Sequence, residues 1–196
     1  MGSEMCIRDS NTSVGFGLRP VGKVGQNRDA QGLSEYSVAA SSTIIYFNDA
    51  VEMADTGNII VAAAGDILIG SLNGSFYTDP TTSKPTFLNY VPNNAATDIV
   101  AFISDDPYER FEIRSNNTGA SAQTDVGMNA DITYVAGSSA NYVSKSTLDD
   151  STLSAASGQL RVIGATNQIG DDEIASSHVV WVVNINEHFY KNTTGI

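Results

Sequence analysis

The chain has 196 residues and a formal net charge of −12, because 22 Asp and Glu residues oppose 10 Lys and Arg residues. That balance argues against a nucleic-acid partner, which needs a basic face, and apolar runs such as residues 179–183 are far shorter than the ~20 residues of a membrane-spanning helix. Hydrophobic residues make up 41% and charged residues only 16%, with 17 glycines, which is typical of a β protein with many turns.

The N-terminal segment has an unusual sequence. Residues 5–10 read Met-Cys-Ile-Arg-Asp-Ser, which resembles a translated sequencing-adapter artefact common in assembled environmental reads. We therefore expect residues 1–10 to be non-native and the true N-terminus to be missing. Cys6, the single cysteine of the sequence, lies in this segment, so an intramolecular disulfide is excluded and the thiol is no evidence for a nucleophile.

Residues 11–34 are predicted to form an extended N-terminal arm. They are rich in Gly, Asn and polar residues, and no helical stripe of apolar residues can be drawn through them, so at most one strand is expected. The arm is less acidic than the rest of the chain because it contains Arg19, Lys23 and Arg28.

From residue 35 onward, short β-branched and aromatic runs alternate with clusters of turn residues. The runs predicted as strands in the first half are 37–47, 58–62, 66–71, 74–77, 86–91, 98–104 and 110–114. Asn73-Gly74 is predicted to be a hairpin turn and residues 50–55 a single helical turn. The apolar run 98–104 indicates a strand covered on both faces, whereas the strict alternation at 110–114 predicts one face in water.

Four further strands are predicted at 130–136, 145–148, 159–164 and 178–186, with a helical turn at 171–176. About ten strands at spacings of roughly 10 to 15 residues, without a convincing amphipathic helix, predict an all-β fold, either a β-sandwich or a jelly-roll-like β-barrel. Because no fixed-period repeat and no long linker interrupts this region, we expect one β domain over residues 35–192.

Catalytic and phosphate-binding patterns are weak. Residues 17–24 nearly match the phosphate-binding P-loop, but Val24 stands where a Ser or Thr hydroxyl is needed for magnesium, and no helix-forming stretch follows. His178 and His188 lack partners at zinc-ligand spacing, which favours structural roles. We therefore predict no enzymatic activity, no metal and no cofactor.

Acidic pairs and aromatic residues leave more than one interpretation open. The acidic groups are 105–106, 149–150 and 171–173. Capping of turns is the favoured role, with calcium binding as the alternative. The aromatic residues that cluster in the first half are Tyr36, Tyr46, Phe47, Phe76, Tyr77, Phe87 and Tyr90. Core packing is the favoured explanation, with an interface or a sugar-stacking surface as alternatives.

Five sequence elements stand in a fixed order in the second half. They are Asp-Asp-Pro-Tyr-Glu-Arg-Phe-Glu-Ile at 105–113, Asp-Val-Gly-Met-Asn-Ala-Asp at 125–131, Leu-Asp-Asp-Ser-Thr at 148–152, Leu-Arg-Val-Ile-Gly at 160–164 and Trp-Val-Val-Asn-Ile-Asn-Glu-His at 181–188. This set resembles the capsid decoration, or cement, proteins that tailed phages encode near the major capsid protein. Order and approximate spacing are similar over residues 98–190, and Gly-Phe-Gly-Leu-Arg-Pro-Val at 15–21 resembles the start of that family. Residues 50–97 depart from its pattern, except at 66–70.

The resemblance implies a β-rich virion structural protein that binds the outside of an icosahedral capsid and ties neighbouring capsomers together. It implies the major capsid protein as partner, a homo-oligomer with a trimer favoured, synthesis in the host cytoplasm and a final location on the capsid exterior. Strong negative charge would keep such a protein soluble before assembly. We predict that the arm makes contacts with the capsid or a neighbouring subunit, through Phe16, Leu18, Arg19, Lys23 and Arg28.

Within 125–131, Gly127 is expected to adopt a positive φ in a turn, and Asn129 and Asp131 to act as side-chain caps.

The alternative function is a carbohydrate- or receptor-binding β domain of a phage tail or fibre, indicated by the Tyr/Phe-rich first half and the acidic loops. A hydrolase on a β-sandwich is the third hypothesis, and it would need two carboxyl groups roughly 5 to 10 Å apart in one cleft.

Overall fold

The computed structural model describes residues 13–24, 32–118, 121–167 and 174–192, and confirms the predicted all-β class. The strands are β1 Arg19–Lys23, β2 Ser34–Ser37, β3 Ala50–Met53, β4 Ile59–Val61, β5 Leu68–Thr78, β6 Pro85–Leu88, β7 Val100–Ser104, β8 Glu109–Arg114, β9 Asn129–Ala130, β10 Ile132–Thr133, β11 Thr147–Leu148, β12 Leu160–Ala165 and β13 Val180–Ile185. Short 3-10 helices occur at Gln123–Asp125, Asp150–Thr152 and Phe189–Lys191. Within these ranges, no helix has the length and apolar character needed to cross a membrane.

The strands form two large antiparallel sheets and one small one. The first sheet has the order β1-β8-β13-β12-β9, the second has the order β2-β7-β5-β3-β4 with β6 also paired to β5, and β10 pairs with β11. Leu68 of the second sheet packs in one core with Phe111 and Trp181 of the first sheet. Ile69, the next residue, packs in a second core on the opposite face. The second sheet therefore has apolar cores on both faces, in a packing consistent with a β-sandwich.

One buried glutamine connects the two large sheets. Gln159 is fully buried, and its Nε2 donates hydrogen bonds of 2.8 Å to the backbone oxygens of Ala63 and Asp66. Its Oε1 accepts a hydrogen bond of 3.0 Å from the backbone nitrogen of Ile132. The Gln159 side chain therefore joins the loop between β4 and β5 to β10 through three hydrogen bonds to backbone groups.

The predicted hairpin turn at Asn73-Gly74 is wrong, because β5 runs through both residues. A register shift between Leu72 and Gly74 in the pairing of β5 with β7 marks a β-bulge at this point. A Cβ atom on Gly74 would lie 2.9 Å from the backbone oxygen of Leu88 and 3.1 Å from the Phe87 ring. The glycine therefore serves close packing within a strand rather than a reversal of the chain.

Two other local predictions are wrong, one because strand pairing overrides local propensity and the other because most of a predicted strand finds no partner strand. Residues 50–53 form β3 between β4 and β5 instead of a helical turn. The strand predicted at 37–47 is replaced by β2, and beyond it Ile45 makes only an isolated bridge to Val91. Of the helical turn predicted at 171–176, residues 171–173 lie outside the described residues, and 174–176 form a turn and a bend.

The side of β8 that was predicted to face water is buried. Glu112 is 6% exposed and Arg114 is 4% exposed. The N-terminal segment covers them, since β1 pairs antiparallel with β8 and the Phe16 ring lies 5.5 Å from Arg114 Cζ. Residues 13–23 of the predicted arm thus belong to the first sheet and its core, and the alternation at 110–114 places charged groups beneath them.

Candidate interaction surface

The residues predicted to make contacts through the N-terminal arm differ in how deeply they are buried. The prediction that Leu18 contacts a partner is wrong. Leu18 is 1% exposed in the first core, because the segment that leads into β1 packs on the sheet, so its side chain is not accessible to a partner. Phe16 is half-buried beneath Arg19, whose Cζ lies 4.7 Å from the ring centroid. Arg28 lies outside the described residues.

The two remaining basic residues of that prediction pair within the chain. Arg19 forms an ion pair with the buried Glu112, whose second carboxylate oxygen accepts a 2.6 Å hydrogen bond from Thr166 Oγ1. Lys23 Nζ lies 2.5 Å from Asp106 Oδ2, and this hydrogen bond holds the pKa of Asp106 below its ordinary value. Both cations therefore fix β1 to the domain, although each retains some exposed surface.

Two glycines explain how the segment before β1 approaches so closely. Gly17 has φ +75°, and a Cβ atom there would lie 2.2 Å from the backbone oxygen of Asn48. A Cβ on Gly15 would lie 2.2 Å from the backbone oxygen of Lys145. Only glycine fits both positions, so the Gly-Phe-Gly-Leu element at 15–18 is a packing element of the domain.

The acidic element at 105–106 binds neighbouring segments. Asp105 accepts hydrogen bonds from Ser34 Oγ at 2.9 Å and Tyr36 Oη at 2.7 Å, and the Tyr36 and Tyr190 hydroxyls lie 2.5 Å apart. Burial, followed by the hydrogen bonds to Tyr190 and Asp105, raises the pKa of Tyr36, so its hydroxyl stays protonated. Asp106 Oδ1 accepts a 2.8 Å hydrogen bond from its own loop, at Tyr108 N, which is a capping role.

In the element at 125–131, Gly127 and Asp131 have the predicted structural roles, whereas Asn129 bonds to the Arg161 side chain and the Ala156 backbone oxygen instead of capping a turn. Gly127 has φ +95° in a turn, as expected. Asn129 Oδ1 accepts from Arg161 Nε at 3.0 Å, and Asp131 Oδ1 accepts from Gln159 N at 3.1 Å. Asp149 caps a 3-10 helix by accepting from the backbone nitrogen of Ser151 at 3.0 Å, whereas 171–173 lie outside the described residues.

Both histidine rings lie within hydrogen-bond distance of backbone groups of the chain. His188 is 1% exposed, and its Nδ1 accepts a 3.1 Å hydrogen bond from Tyr190 N. Burial lowers the pKa of His188 to about 4, so the ring is neutral near pH 7. His178 lies before β13 at φ +57°, not on a strand face as its position had suggested. Across the described ranges, no three His, Cys, Asp or Glu side chains are grouped to hold a metal ion.

An exposed group of apolar side chains lies on the second sheet, and we call it the aromatic face: Phe76 of β5, Phe87 of β6, and Val100 and Phe102 of β7. Register places Phe76 directly opposite Phe87 and Val100. Phe87 is 64% exposed and Phe76 is 41% exposed, and the other two are half-buried. Their sequence neighbours, including Tyr77, point into the second core, because alternate residues of a strand face opposite sides.

The aromatic face is held in place by packing. The Phe87 ring lies over Gly74 of β5, which pairs with Phe102 of β7, and it reaches the Phe102 ring at a centroid distance of 5.8 Å. Rings fixed in this way lose little conformational entropy when a partner covers them. The sequence shows that Phe76 and Phe87 are close to other aromatics, but the strand register is needed to separate them from the buried ones.

A second aromatic group contains three tyrosines that stack on each other. Tyr90 and Tyr142 stack at 3.7 Å with an interplanar angle of 4°, and Tyr46 lies 6.5 Å from Tyr142. All three are half-buried. Because stacking occupies ring faces, this group offers less free aromatic surface than the aromatic face does.

Comparison with known proteins finds no match, whether with protein-family models, with curated proteins or with solved structures.

Proposed function

We propose that the chain is a virion structural protein that binds the outside of an icosahedral phage capsid and stabilises it by bridging capsomers. The observation that carries this proposal is the set of sequence elements that resemble phage decoration proteins. These elements are far apart in the chain, yet four strands that contain or adjoin them, β1, β8, β13 and β12, are consecutive neighbours in the first sheet.

The remaining elements adjoin the same sheet. The element at 125–131 includes β9, which pairs with β12, and Leu148 bridges to Ser115 just beyond β8. The hydrogen bonds of Asp106, Asp131 and Asp149 stabilise loops and strand ends. A sequence pattern made of such residues describes a scaffold rather than a catalytic centre, which supports a structural role.

The partner under this proposal is the major capsid protein, and the chain acts as a homo-oligomer, most simply a trimer, on the capsid exterior. Light scattering of the purified protein measures its mass against 20.7 kDa for one chain. A value near three times that mass supports the trimer, and a monomeric value over the whole accessible concentration range contradicts it.

Addition of the purified protein to capsids that lack it tests the function. The capsids are assembled from the major capsid protein that this proposal expects to be encoded near this chain. We expect the protein to sediment with them, to raise the temperature at which they disrupt, and to appear as outer density at contacts between capsomers in a cryo-electron microscopy map. Failure to sediment with the capsids, or density elsewhere in the virion, contradicts the proposal.

The alternative is a carbohydrate- or receptor-binding β domain of a phage tail or fibre. The exposed Phe76 and Phe87 rings are the feature that favours it, since exposed aromatic rings bind sugars by stacking. A glycan array probed with and without calcium separates the two functions. Specific glycan binding that is lost on replacing Phe87 by Ala would support the alternative.

A further inference from the structure

We infer that the aromatic face of the second sheet is the surface that docks on the capsid shell, and that its counterpart is an apolar area flanked by Lys or Arg. This inference rests on the proposed function. It assigns the contact to the second sheet instead of the N-terminal segment, whose Leu18, Arg19 and Lys23 bind within the chain.

The composition of the face favours a protein partner. Three aromatic rings and one valine form one contiguous side of β5, β6 and β7. Aromatic residues are enriched at the centres of protein interfaces, where they contribute much of the binding energy. The two most exposed rings lie opposite each other, and Gly74 and Phe102 hold one of them in position.

The edge of the face is acidic. Glu35 of β2 is exposed and lies directly opposite Phe102, on the same side of the sheet. Asp98 is exposed and accepts hydrogen bonds from Thr78 N, two residues beyond Phe76. Acidic groups beside an apolar centre are complementary to a partner area with basic groups around its own apolar centre.

Charge also argues against a second copy of this chain as the occupant. Residues 32–104, which contain the whole second sheet, have seven Asp or Glu residues and a single lysine, Lys84, so their formal charge is −6. Apposition of two such sheets would bring like charges together around a small apolar centre. The same acidic groups that repel a second copy of this face attract Lys or Arg residues at the edge of a partner's surface.

Replacement of Phe87 by Ser tests the apolar part of the surface. The matched control is Tyr108→Ser, because Tyr108 has nearly the same exposure, 62% against 64%, and lies in the β7–β8 loop. Circular dichroism and urea denaturation establish that both variants fold. We expect Phe87→Ser to weaken binding to decoration-free capsids by about tenfold or more, and Tyr108→Ser to bind as the unmodified chain does.

Replacement of Glu35 by Lys tests the acidic edge without removing packed atoms, and Asp55→Lys, in the exposed β3–β4 turn, is its matched control. We expect Glu35→Lys to weaken capsid binding at low salt. The difference from the unmodified chain should shrink in about 0.5 M NaCl, where charges are screened. An equal effect of Asp55→Lys would mean that total charge, not this edge, controls binding, and would overturn the inference.

The possible outcomes separate this inference from the proposed function. If the unmodified chain binds capsids and Phe87→Ser binds equally well, the docking surface is elsewhere while the function stands. If the unmodified chain does not bind capsids, both are wrong. If analytical ultracentrifugation finds an oligomer that Phe87→Ser dissociates, the occupant is a second copy and the inference is overturned.

Discussion

Truncation of Leu18 to Ala tests whether residues 13–24 belong to the folded domain. Leu18 is 1% exposed and packs in the core that contains Phe111 and Trp181. The substitution removes three carbon atoms, and at ~0.8 kcal/mol for each the lost burial is about 2.4 kcal/mol. Incomplete collapse of the cavity adds to this, so we expect a loss of about 3 kcal/mol in the free energy of unfolding. For a chain of this size that corresponds to a fall in Tm of roughly 6–12 °C.

Urea denaturation followed by tryptophan fluorescence measures this change. Trp181 is the single tryptophan of the sequence, is fully buried and lies in the same core as Leu18. Val14→Ala is the control in the same segment, because Val14 is 63% exposed and its truncation should change stability by less than about 0.5 kcal/mol. If Leu18→Ala is as neutral as Val14→Ala, the segment is not docked in solution, and the N-terminal arm returns as the prime candidate for capsid contact.

Three further predictions concern buried polar groups. Gln159→Met keeps the side-chain length but removes the hydrogen-bond partner of three backbone groups. We therefore expect the free energy of unfolding, measured by urea denaturation, to fall by about 3 kcal/mol. A fall below about 1 kcal/mol would contradict the bridging role. Burial raises the pKa of the Asp49 carboxyl from 3.8 to about 6, so its ionisation lowers the free energy of unfolding above about pH 6, and this penalty fades towards pH 4. Asp49→Asn should therefore raise the free energy of unfolding by up to about 3 kcal/mol near pH 7.5 and by little near pH 4. An equal effect at both pH values would refute this. The imidazole carbon shifts of His188 in NMR should report a neutral ring down to about pH 5, whereas titration near pH 6.5 would contradict its burial.

The parts of the fold that were predictable are strands whose own residues fill a core. Residues 159–164 and 178–186 were predicted as strands, and β12 and β13 occupy most of both ranges. Their Leu, Val and Trp side chains bury apolar surface whatever the details of the pairing. Sequence periodicity reports such burial directly.

The errors arose where a distant segment decides the environment. The alternating charges of β8 predict a solvent-exposed face, but the segment that leads into β1, about 90 residues earlier in the chain, brings the Phe16 ring to Arg114 and pairs Arg19 with Glu112. Local alternation cannot distinguish a solvated charge from a charge that meets its partner across a sheet. The same limit hid the burial of Leu18, which had been predicted as an interface residue.

The aromatic face could be predicted only in part, because a β-bulge determines which residues share a face. An insertion of one residue in a strand reverses the orientation of every later side chain relative to the earlier ones. The bulge between Leu72 and Gly74 therefore decides that Phe76 points outward and Tyr77 inward. The Asn73-Gly74 pair marks an irregular backbone in the sequence, but the partner strand determines whether it becomes a turn or a bulge.

The two sheets differ in what the sequence resemblance covers. The elements similar to phage decoration proteins include parts of all five strands of the first sheet, whereas residues 50–97, which depart from that pattern except at 66–70, supply β3 to β6 of the second. The second sheet also contributes Phe76 and Phe87 and has a formal charge of −6 over residues 32–104. A protein that must bind one particular shell needs a constant scaffold and a surface matched to that shell. If the second sheet is that surface, its substitutions should alter capsid binding with little effect on the stability of the first.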